Sequence, residues 1–198
     1  NFLPDAEITV PALDGAVLVV SAVGGAKVGT ERMWRAVGAA GVPSIAFVNG
    51  LDRERADFGT AVESLRKLGA KPVLLCLPIG IETELRGVVD LLAMKAQLGP
   101  NEGPIPPELA EAASTERGRL VEAVAECDDA LLEKYLEEGE LSDEAIRRAL
   151  SKGVREHQIL PVLCGSAMSL VGVNLLLRSA VELLPSPADR DPWPAEDL

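Results

Sequence analysis

Aromatic residues are scarce in this chain of 198 residues: they make up 3% of the sequence, although hydrophobic residues reach 47%. A core that is short of Phe, Trp and Tyr must be built from Val, Leu, Ile and Ala, and this composition suits an α/β protein with buried parallel strands. The length allows one domain, or one domain with a subdomain. No apolar run approaches membrane-spanning length, and no signal-peptide pattern opens the sequence.

Histidine, cysteine and positive charge are also in short supply. The single His157 excludes His-rich metal sites and leaves little material for a Ser-His-Asp triad. Three cysteines without C-x-x-C spacing, Cys76, Cys127 and Cys164, predict reduced, buried thiols in a cytosolic protein. A net charge of −12 argues against broad binding of nucleic-acid phosphates, because that requires clustered Lys and Arg. A basic protein partner or a large assembly remains compatible with this charge.

The first part of the chain alternates apolar runs with helical patterns. The predicted order is a fully buried strand at 15–23, a helix at 30–40 with Thr30 as N-cap, a strand at 42–49, a helix at 58–68 and a strand at 71–79. This β-α-β-α-β order predicts a mainly parallel sheet flanked by helices.

The pattern changes after residue 79. Here we predict a short strand or hairpin arm at 87–98, a Pro/Gly-rich linker at 100–107, one apolar helical stripe from Leu120 to Tyr135, a helix capped by Ser142, a strand at 159–163 and a helix at 173–184. The predicted division is therefore the first part of a core sheet at 1–79, an inserted α+β subdomain at 80–158, the rest of the core sheet with a final helix at 159–187, and a linker to a following domain at 188–198.

The stretch Asn49-Gly50-Leu51-Asp52 directly follows an apolar strand and is the most informative motif for function. An Asp carboxylate accepts two N–H donors, which guanine offers and adenine does not, while a nearby Asn can fix the loop. Taken alone, these residues are better explained as a turn, since Asn and Asp favour turns. A second piece, Cys164-Gly165-Ser166-Ala167, follows another apolar run and can place a backbone loop against the same base.

These motifs resemble, in order, the GTP-binding domain of bacterial elongation factor G with its inserted subdomain. The matching segments are residues 13–19, 29–35, 41–43, 47–49, 51–53, 56–58, 77–80, 87–91, 161–167 and 184–187. The resemblance implies a P-loop-GTPase-like fold that binds GTP and GDP, and a cytoplasmic location. In the full-length family, GTP hydrolysis drives ribosomal translocation. It also implies the ribosome, its stalk protein and the rest of the same polypeptide as partners.

Residue by residue, the resemblance makes Asp52 the guanine-specifying carboxylate and Asn49 the side chain that holds the loop. Ser166 and Ala167 take the place of the backbone loop that contacts the guanine oxygen. Gly50 stands where the family has a Lys, whose stem packs along the base and whose ammonium braces the phosphate loop. Gly removes that packing and that charge, so we expect weakened nucleotide affinity.

The opening of the sequence departs from the family. It contains no G-x-x-x-x-G-K-[ST] loop, no magnesium-coordinating Thr loop and no D-x-P-G-H segment. Residues 24–29 have Gly at both ends, but Thr30-Glu31 replaces the Lys and hydroxyl, so this loop cannot hold phosphates in the same way. Residues 1–10 do not match the helix expected before Leu13, and Pro11 would break it. The first segment of the usual domain is thus missing, either because the chain is a fragment or because that half has been lost.

We therefore expect no catalytic residue and no metal ligand in this chain, with Mg²⁺ entering only if the missing segment is supplied. Two functions remain open: the GTPase-domain portion of an elongation factor G-like translation factor, and a catalytically silent pseudo-GTPase that serves as a docking module for the ribosome or another protein. The acidic residues Asp128, Asp129, Glu137, Glu138 and Glu140 are either a solvated helix face or a docking face for the stalk protein.

Overall fold

The computed structural model describes residues 3–139 and 141–189. Its α-helices are α1 (Leu3–Thr9), α2 (Val28–Ala39), α3 (Phe58–Lys67), α4 (Pro107–Ala125), α5 (Asp129–Glu138), α6 (Asp143–Arg155) and α7 (Val173–Leu183). Its strands are β1 (Ala16–Ser21), β2 (Ser44–Asn49), β3 (Pro72–Leu74), β4 (Cys76–Ile79), β5 (Gly87–Asp90), β6 (Lys95–Leu98), β7 (Asn101–Gly103) and β8 (Leu160–Gly165). Most of the predicted linker at 188–198 lies outside the described residues.

The first sheet is parallel throughout and has the strand order β1-β2-β8-β3. Its two central strands are the most deeply buried, since β8 is buried at every residue and β2 at every residue except Asn49. Helices α3 and α6 contact β2 and α7 contacts β8, while α2 contacts β1 and α4 contacts β3. The predicted α/β class, with a mainly parallel sheet flanked by helices, is confirmed.

Strand β1 corrects one prediction, because it is not fully buried. Val17 and Val19 are 40% and 57% exposed, whereas Val20 is 1% exposed. Successive side chains of a strand point to opposite faces of the sheet. Val17 and Val19 therefore lie on the face of β1 that the described residues cover less, and Val20 lies on the opposite, covered face.

The helices that follow β1 and β2 begin at polar caps. α2 starts at Val28, two residues earlier than predicted, and Thr30 acts from inside its first turn, where its Oγ1 accepts a hydrogen bond from the Lys27 N–H at 3.2 Å. α3 starts at Phe58 as predicted, with Asp57 as its N-cap. The Asp57 carboxylate accepts from the Thr60 N–H and from the Thr60 hydroxyl, both at 2.9 Å. These bonds lower the pKa of Asp57.

The predicted strand at 71–79 is two strands in two sheets. β3 pairs with β8 in the parallel sheet, whereas β4 pairs antiparallel with β5. Leu75 joins them: its N–H donates to Val162 O at 2.9 Å, and its carbonyl accepts from the Leu91 N–H at 3.0 Å. Hydrophobic periodicity alone predicts a single strand here, because both strands are buried where they meet at Leu75.

The second sheet is antiparallel and has the order β4-β5-β6-β7. It begins at Cys76, which is before the boundary predicted at residue 80. Gly87–Leu98 forms the hairpin arms β5 and β6, and β7 lies in the segment predicted as a Pro/Gly-rich linker. That segment pairs with β6 over Leu98↔Asn101 to Ala96↔Gly103, so backbone pairing determines its structure despite the Gly and Pro content.

Helices α4, α5 and α6 complete the region between the two core segments. The apolar stripe predicted from Leu120 to Tyr135 is divided, since α4 ends at Ala125 and Asp128 caps α5 by accepting from the Leu131 N–H at 3.3 Å. The other Asp128 oxygen accepts from Lys152 Nζ at 2.8 Å, and this bond is the main cause of the lowered pKa of Asp128. α6 begins after Ser142 as predicted.

These contacts also bear on the acidic residues of this region. Asp128 is engaged within the fold, whereas Asp129 and Glu137 are exposed. Glu140 and the side chain of Glu138 lie outside the described part of the chain.

Near the start, α1 ends at Thr9 and a 3-10 turn, Val10–Ala12, contains Pro11. The main cluster of buried apolar residues runs through both sheets and through helices α3, α4, α6 and α7. Among the described residues, no helix is both long and apolar enough to cross a membrane.

Candidate functional site

The carboxyl ends of β2 and β8 bring together the two motifs that the sequence analysis singled out. The strands are parallel neighbours, with Asn49 opposite Gly165. The backbone N–H groups of Gly50 and Leu51 both donate to Gly165 O, at 3.0 and 3.1 Å. Ligands of α/β sheets bind outside the carboxyl ends of the strands, so this edge is the expected position for a site.

Asn49 ties together three segments at this edge. Its Oδ1 accepts a hydrogen bond from the Ala167 N–H at 2.9 Å, across a sequence separation of 118 residues. Its backbone carbonyl accepts from the Ala22 N–H at 2.8 Å. The side chain therefore holds the loop after β8 in position against the loop after β2.

Asp52 carries a buried side-chain oxygen that no group of the described residues satisfies. Its Oδ1 is buried and has no hydrogen-bond partner among the described residues, although the residue as a whole is partly exposed. A buried carboxylate oxygen without a partner loses its hydration and gains nothing in exchange. The atom is therefore an unsatisfied acceptor on a side chain that is otherwise partly exposed.

The turn that presents Asp52 is held from two sides. Arg53 N–H donates to Gly50 O at 3.1 Å, and Gly50 adopts a φ of +85°, which an L-residue rarely adopts. Glu82, which the sequence analysis did not single out, donates its N–H to Leu51 O at 2.8 Å and accepts from the Arg55 N–H at 2.7 Å through Oε1. Residue 82 lies between β4 and β5 of the second sheet, so the connection between these strands braces the turn.

The loop after β8 is shaped by its own polar groups. Ser166 is 1% exposed, and its Oγ accepts from the Met168 and Ser169 N–H groups at 3.2 and 3.3 Å. The Ser166 N–H donates to Val171 O at 3.0 Å. The two amides expected to face a guanine oxygen are thus both used within the chain, and a ligand would share the Ala167 donor with Asn49.

Gly165 makes this loop possible. A Cβ at this position would lie 2.0 Å from Val171 O, which is far inside contact distance. The close approach lets the chain turn back on itself directly after β8, as the antiparallel bridge between Ser166 and Val171 shows.

Cys76 and Cys164 lie next to this loop and in contact with each other. Their Sγ atoms are 3.5 Å apart, and the Cys164 N–H donates to Cys76 Sγ at 3.2 Å. Burial raises the pKa of the Cys164 thiol, and the contact with Cys76 raises it further. The predicted reduced, buried thiols are confirmed for all three cysteines. The contact between Cys76 and Cys164 could not be predicted from the sequence, because these two residues are 88 positions apart.

The loop after β1 offers no set of free amides for a phosphate. The N–H groups of Val23 and Gly24 donate to Ser21 Oγ at 3.3 and 3.2 Å, and that of Gly25 to Ser21 O at 2.8 Å. Ala26 N–H donates to Ser64 Oγ at 2.7 Å and Lys27 N–H to Thr30 Oγ1 at 3.2 Å. Phosphate loops bind through backbone N–H groups that point at the ligand, and here five successive groups are already engaged.

Neither the cavity at the other end of the sheet nor the side-chain clusters of the described residues extend this site. A cavity of about 570 Å³ lies at the opposite end of the parallel sheet, where Trp34, Lys71 and His157 line it, and none of Asn49, Asp52, Ser166 and Ala167 reaches it. In the described ranges, no group of three or more His, Cys, Asp or Glu side chains could hold a metal ion.

The comparison with protein families agrees with this geometry. The profile of a family described as the elongation factor Tu GTP binding domain matches residues 1–186. The chain belongs to this family.

A solved structure extends the comparison. The crystal structure of ttk003000868 from Thermus thermophilus is similar to this chain with a TM-score of 0.86 and 34% sequence identity. The similar region covers 95% of this chain and 29% of the Thermus chain, so this chain spans less than a third of that protein's length. This chain is therefore a guanine-nucleotide-binding domain of the translation-factor type. It contains an antiparallel sheet in addition to the parallel one.

Proposed function

We propose that this chain is the GTPase-domain portion of an elongation factor G-like translation factor, in which GTP hydrolysis drives ribosomal translocation in the full-length protein. The family membership supports the guanine nucleotide and the translation factor. The elongation factor G-like assignment is supported by the antiparallel sheet and helices α4 to α6, which lie between β3 and β8 of the parallel sheet. In this proposal, residues 80–158 are an inserted subdomain, and residues 1–79 and 159–187 form the core.

The observation that carries the proposal is the unpartnered buried Oδ1 of Asp52. Guanine presents two adjacent N–H donors on one edge, and a carboxylate accepts both. In the proposed complex Asp52 reads this edge, Asn49 holds the loop, and the backbone of Ser166 and Ala167 lies against the guanine oxygen. Adenine lacks this pair of donors, so the carboxylate selects guanine.

The part of the site that would bind the phosphates is not supplied by the residues that bind the base. Residues 23–27 bond their amides within the chain. Gly50, where the resemblance implies a Lys, brings no positive charge. In our proposal Mg²⁺ and the phosphate loop come from a segment of the full-length protein other than the residues named here. Base recognition belongs to this chain, and the positioning of the phosphates for hydrolysis belongs to the complete site.

Nucleotide binding tests this proposal by a shift in thermal stability. GDP at about 100 times its dissociation constant should raise the free energy of unfolding by about 2.7 kcal/mol, whereas ATP at the same concentration should leave it unchanged. The measurement is the melting temperature of the full-length gene product with GDP, GTP or ATP. Equal shifts with ATP and GDP, or no shift at millimolar GDP, would rule out a guanine site.

The alternative is a catalytically silent pseudo-GTPase that docks on the ribosome or on another protein in the cytoplasm. The engaged amides of residues 23–27 and the Gly at position 50 favour it. Exposed Asp129 and Glu137 on α5 would contribute to the acidic face proposed for the stalk protein. This alternative predicts ribosome binding that does not change when GDP or GTP is added.

A further inference from the structure

Arg53 lies over the turn that presents the proposed base-binding carboxylate. A Cβ placed on Gly50 would be 3.3 Å from Arg53 Cδ, 3.6 Å from Nε and 3.8 Å from Cγ. The Arg53 stem therefore lies directly against the position that a Cβ on residue 50 would take. Gly50 is itself buried, whereas Arg53 is exposed.

The guanidinium of Arg53 is not committed to another group. Within residues 3–139 and 141–189, its side chain takes part in no hydrogen bond and no ion pair. Arg32, Arg66 and Arg117, by contrast, pair with carboxylates. A planar cation attached next to Asp52 is thus available to a ligand.

Gly50 and Arg53 are matched to each other. The φ of +85° at residue 50 disfavours any side chain there, and the contact distance of 3.3 Å means that Arg53 would have to move to admit one. Glycine at this position therefore allows the Arg53 stem to lie flat along the turn.

A base that is held by its edge leaves its faces to be covered by something else. Arginine is suited to this role, since its planar guanidinium stacks on aromatic faces and its stem adds apolar contact. We infer that Arg53 stacks on the face of the purine that Asp52 binds, and so supplies the base packing that position 50 cannot. This inference rests on the guanine site proposed above and adds a binding residue to it.

Replacement of Arg53 tests the inference. Arg53→Ala in the full-length gene product should weaken the binding of GDP, GMP and GTP by the same factor, about three- to tenfold, with Arg53→Lys in between. The preference for GDP over ADP should not change, because the edge contact to Asp52 remains. The matched control is Arg66→Ala, which removes the same charge from the last turn of α3. Affinities are measured by isothermal titration calorimetry.

The outcomes separate this inference from the proposed function. Tight GDP binding that is equal in wild type and Arg53→Ala would overturn the role of Arg53 and leave the guanine site standing. A loss that increases from GMP to GDP to GTP would also overturn it, since Arg53 would then act on the phosphates. Failure of the wild-type protein to bind GDP would overturn both.

A second variant tests the matching of the two residues. Gly50→Ala should shift the Arg53 stem by a few tenths of an ångström and weaken GDP binding in the wild-type background, with a smaller effect in the Arg53→Ala background. The backbone strain at residue 50 is common to both backgrounds, so the difference reports the contact alone. Equal effects of Gly50→Ala in the two backgrounds would contradict the stacking role.

Discussion

Asn49 and Asp52 occur in one short motif, yet the structure gives them opposite conditions. Asn49 is satisfied by the fold, because its Oδ1 accepts from the Ala167 N–H at 2.9 Å. The buried Oδ1 of Asp52 has no partner among the described residues. Asn49 thus helps to hold the loop structure of the described chain, whereas in the proposed site the Asp52 oxygen gains its hydrogen bond from the ligand. This difference separates loop fixing from base reading.

Asn49→Ala should destabilise the fold and weaken GDP binding together. The substitution removes the acceptor for the Ala167 N–H, and the lost hydrogen bond should lower the free energy of unfolding by about 1 kcal/mol. Urea unfolding measures the stability, and calorimetry measures the affinity. Asn174→Ala on α7 is the matched control, because Asn174 is an exposed Asn. A GDP affinity that is the same in both variants would show that the Ala167 loop needs no anchoring.

Residue identity allowed the site to be predicted only in part. Asn49, Asp52, Ser166 and Ala167 all lie at the edge where β2 and β8 end, as the two motifs require. The support from Glu82 could not be predicted, since a carboxylate that reaches back to the Arg55 N–H leaves no pattern in the sequence. The contact between Arg53 and Gly50 depends on a φ of +85°, which is likewise known only from the backbone.

At the scale of elements, the caps fix where the helices around the site begin. Asp57 joins the turn at residues 50–56 to α3: its N–H donates to Ala22 O at 2.9 Å, and its carboxylate caps the helix. The capping bonds lower the pKa of Asp57, from an ordinary value of 3.8. The cap therefore links the charge of one exposed side chain to the stability of the element that follows the site.

The pH dependence of unfolding tests this cap. Because the pKa of Asp57 is lower in the folded state, its stabilising contribution is present above the unfolded pKa and is lost as the pH falls through the folded value. Asp57→Asn keeps an acceptor for the Thr60 N–H without the titration. The difference in urea midpoint between wild type and variant should shrink as the pH falls from about 5 to about 2.5. A difference that stays constant over this range would contradict the account.

The elements were predicted best where a local sequence signal, such as a capping residue, determines where the element begins. The helix after Asp57 and the helix after Ser142 begin at the predicted residues. The prediction failed at Leu75, where the chain changes from one sheet to another without leaving the core, and at Asn101–Gly103, where pairing with β6 makes a strand of a polar segment. In both places tertiary pairing determines the structure, and local composition carries no trace of it.

At the scale of the whole molecule, the residues proposed to recognise the base and the residue that braces them lie in different parts of the chain. The parallel sheet presents Asn49, Asp52 and the loop after β8, while Glu82, next to the antiparallel sheet, pins the turn that carries Asp52. One cluster of buried residues passes through both sheets. A nucleotide bound at the sheet edge would therefore contact a loop that is packed directly against the region carrying the second sheet, which is the proposed inserted subdomain.

The central claim is that Asp52 reads guanine, and the base preference of the Asp52→Asn variant tests it most directly. An Asn side chain presents an NH₂ donor where the carboxylate presented an acceptor, so it suits the C2 carbonyl of xanthine and not the C2 amino group of guanine. The measurement is the affinity of the full-length gene product for GDP and for xanthosine diphosphate. We predict that the variant loses at least about tenfold in GDP affinity and gains in xanthosine diphosphate affinity. Wild type and variant that bind both nucleotides equally would contradict the account.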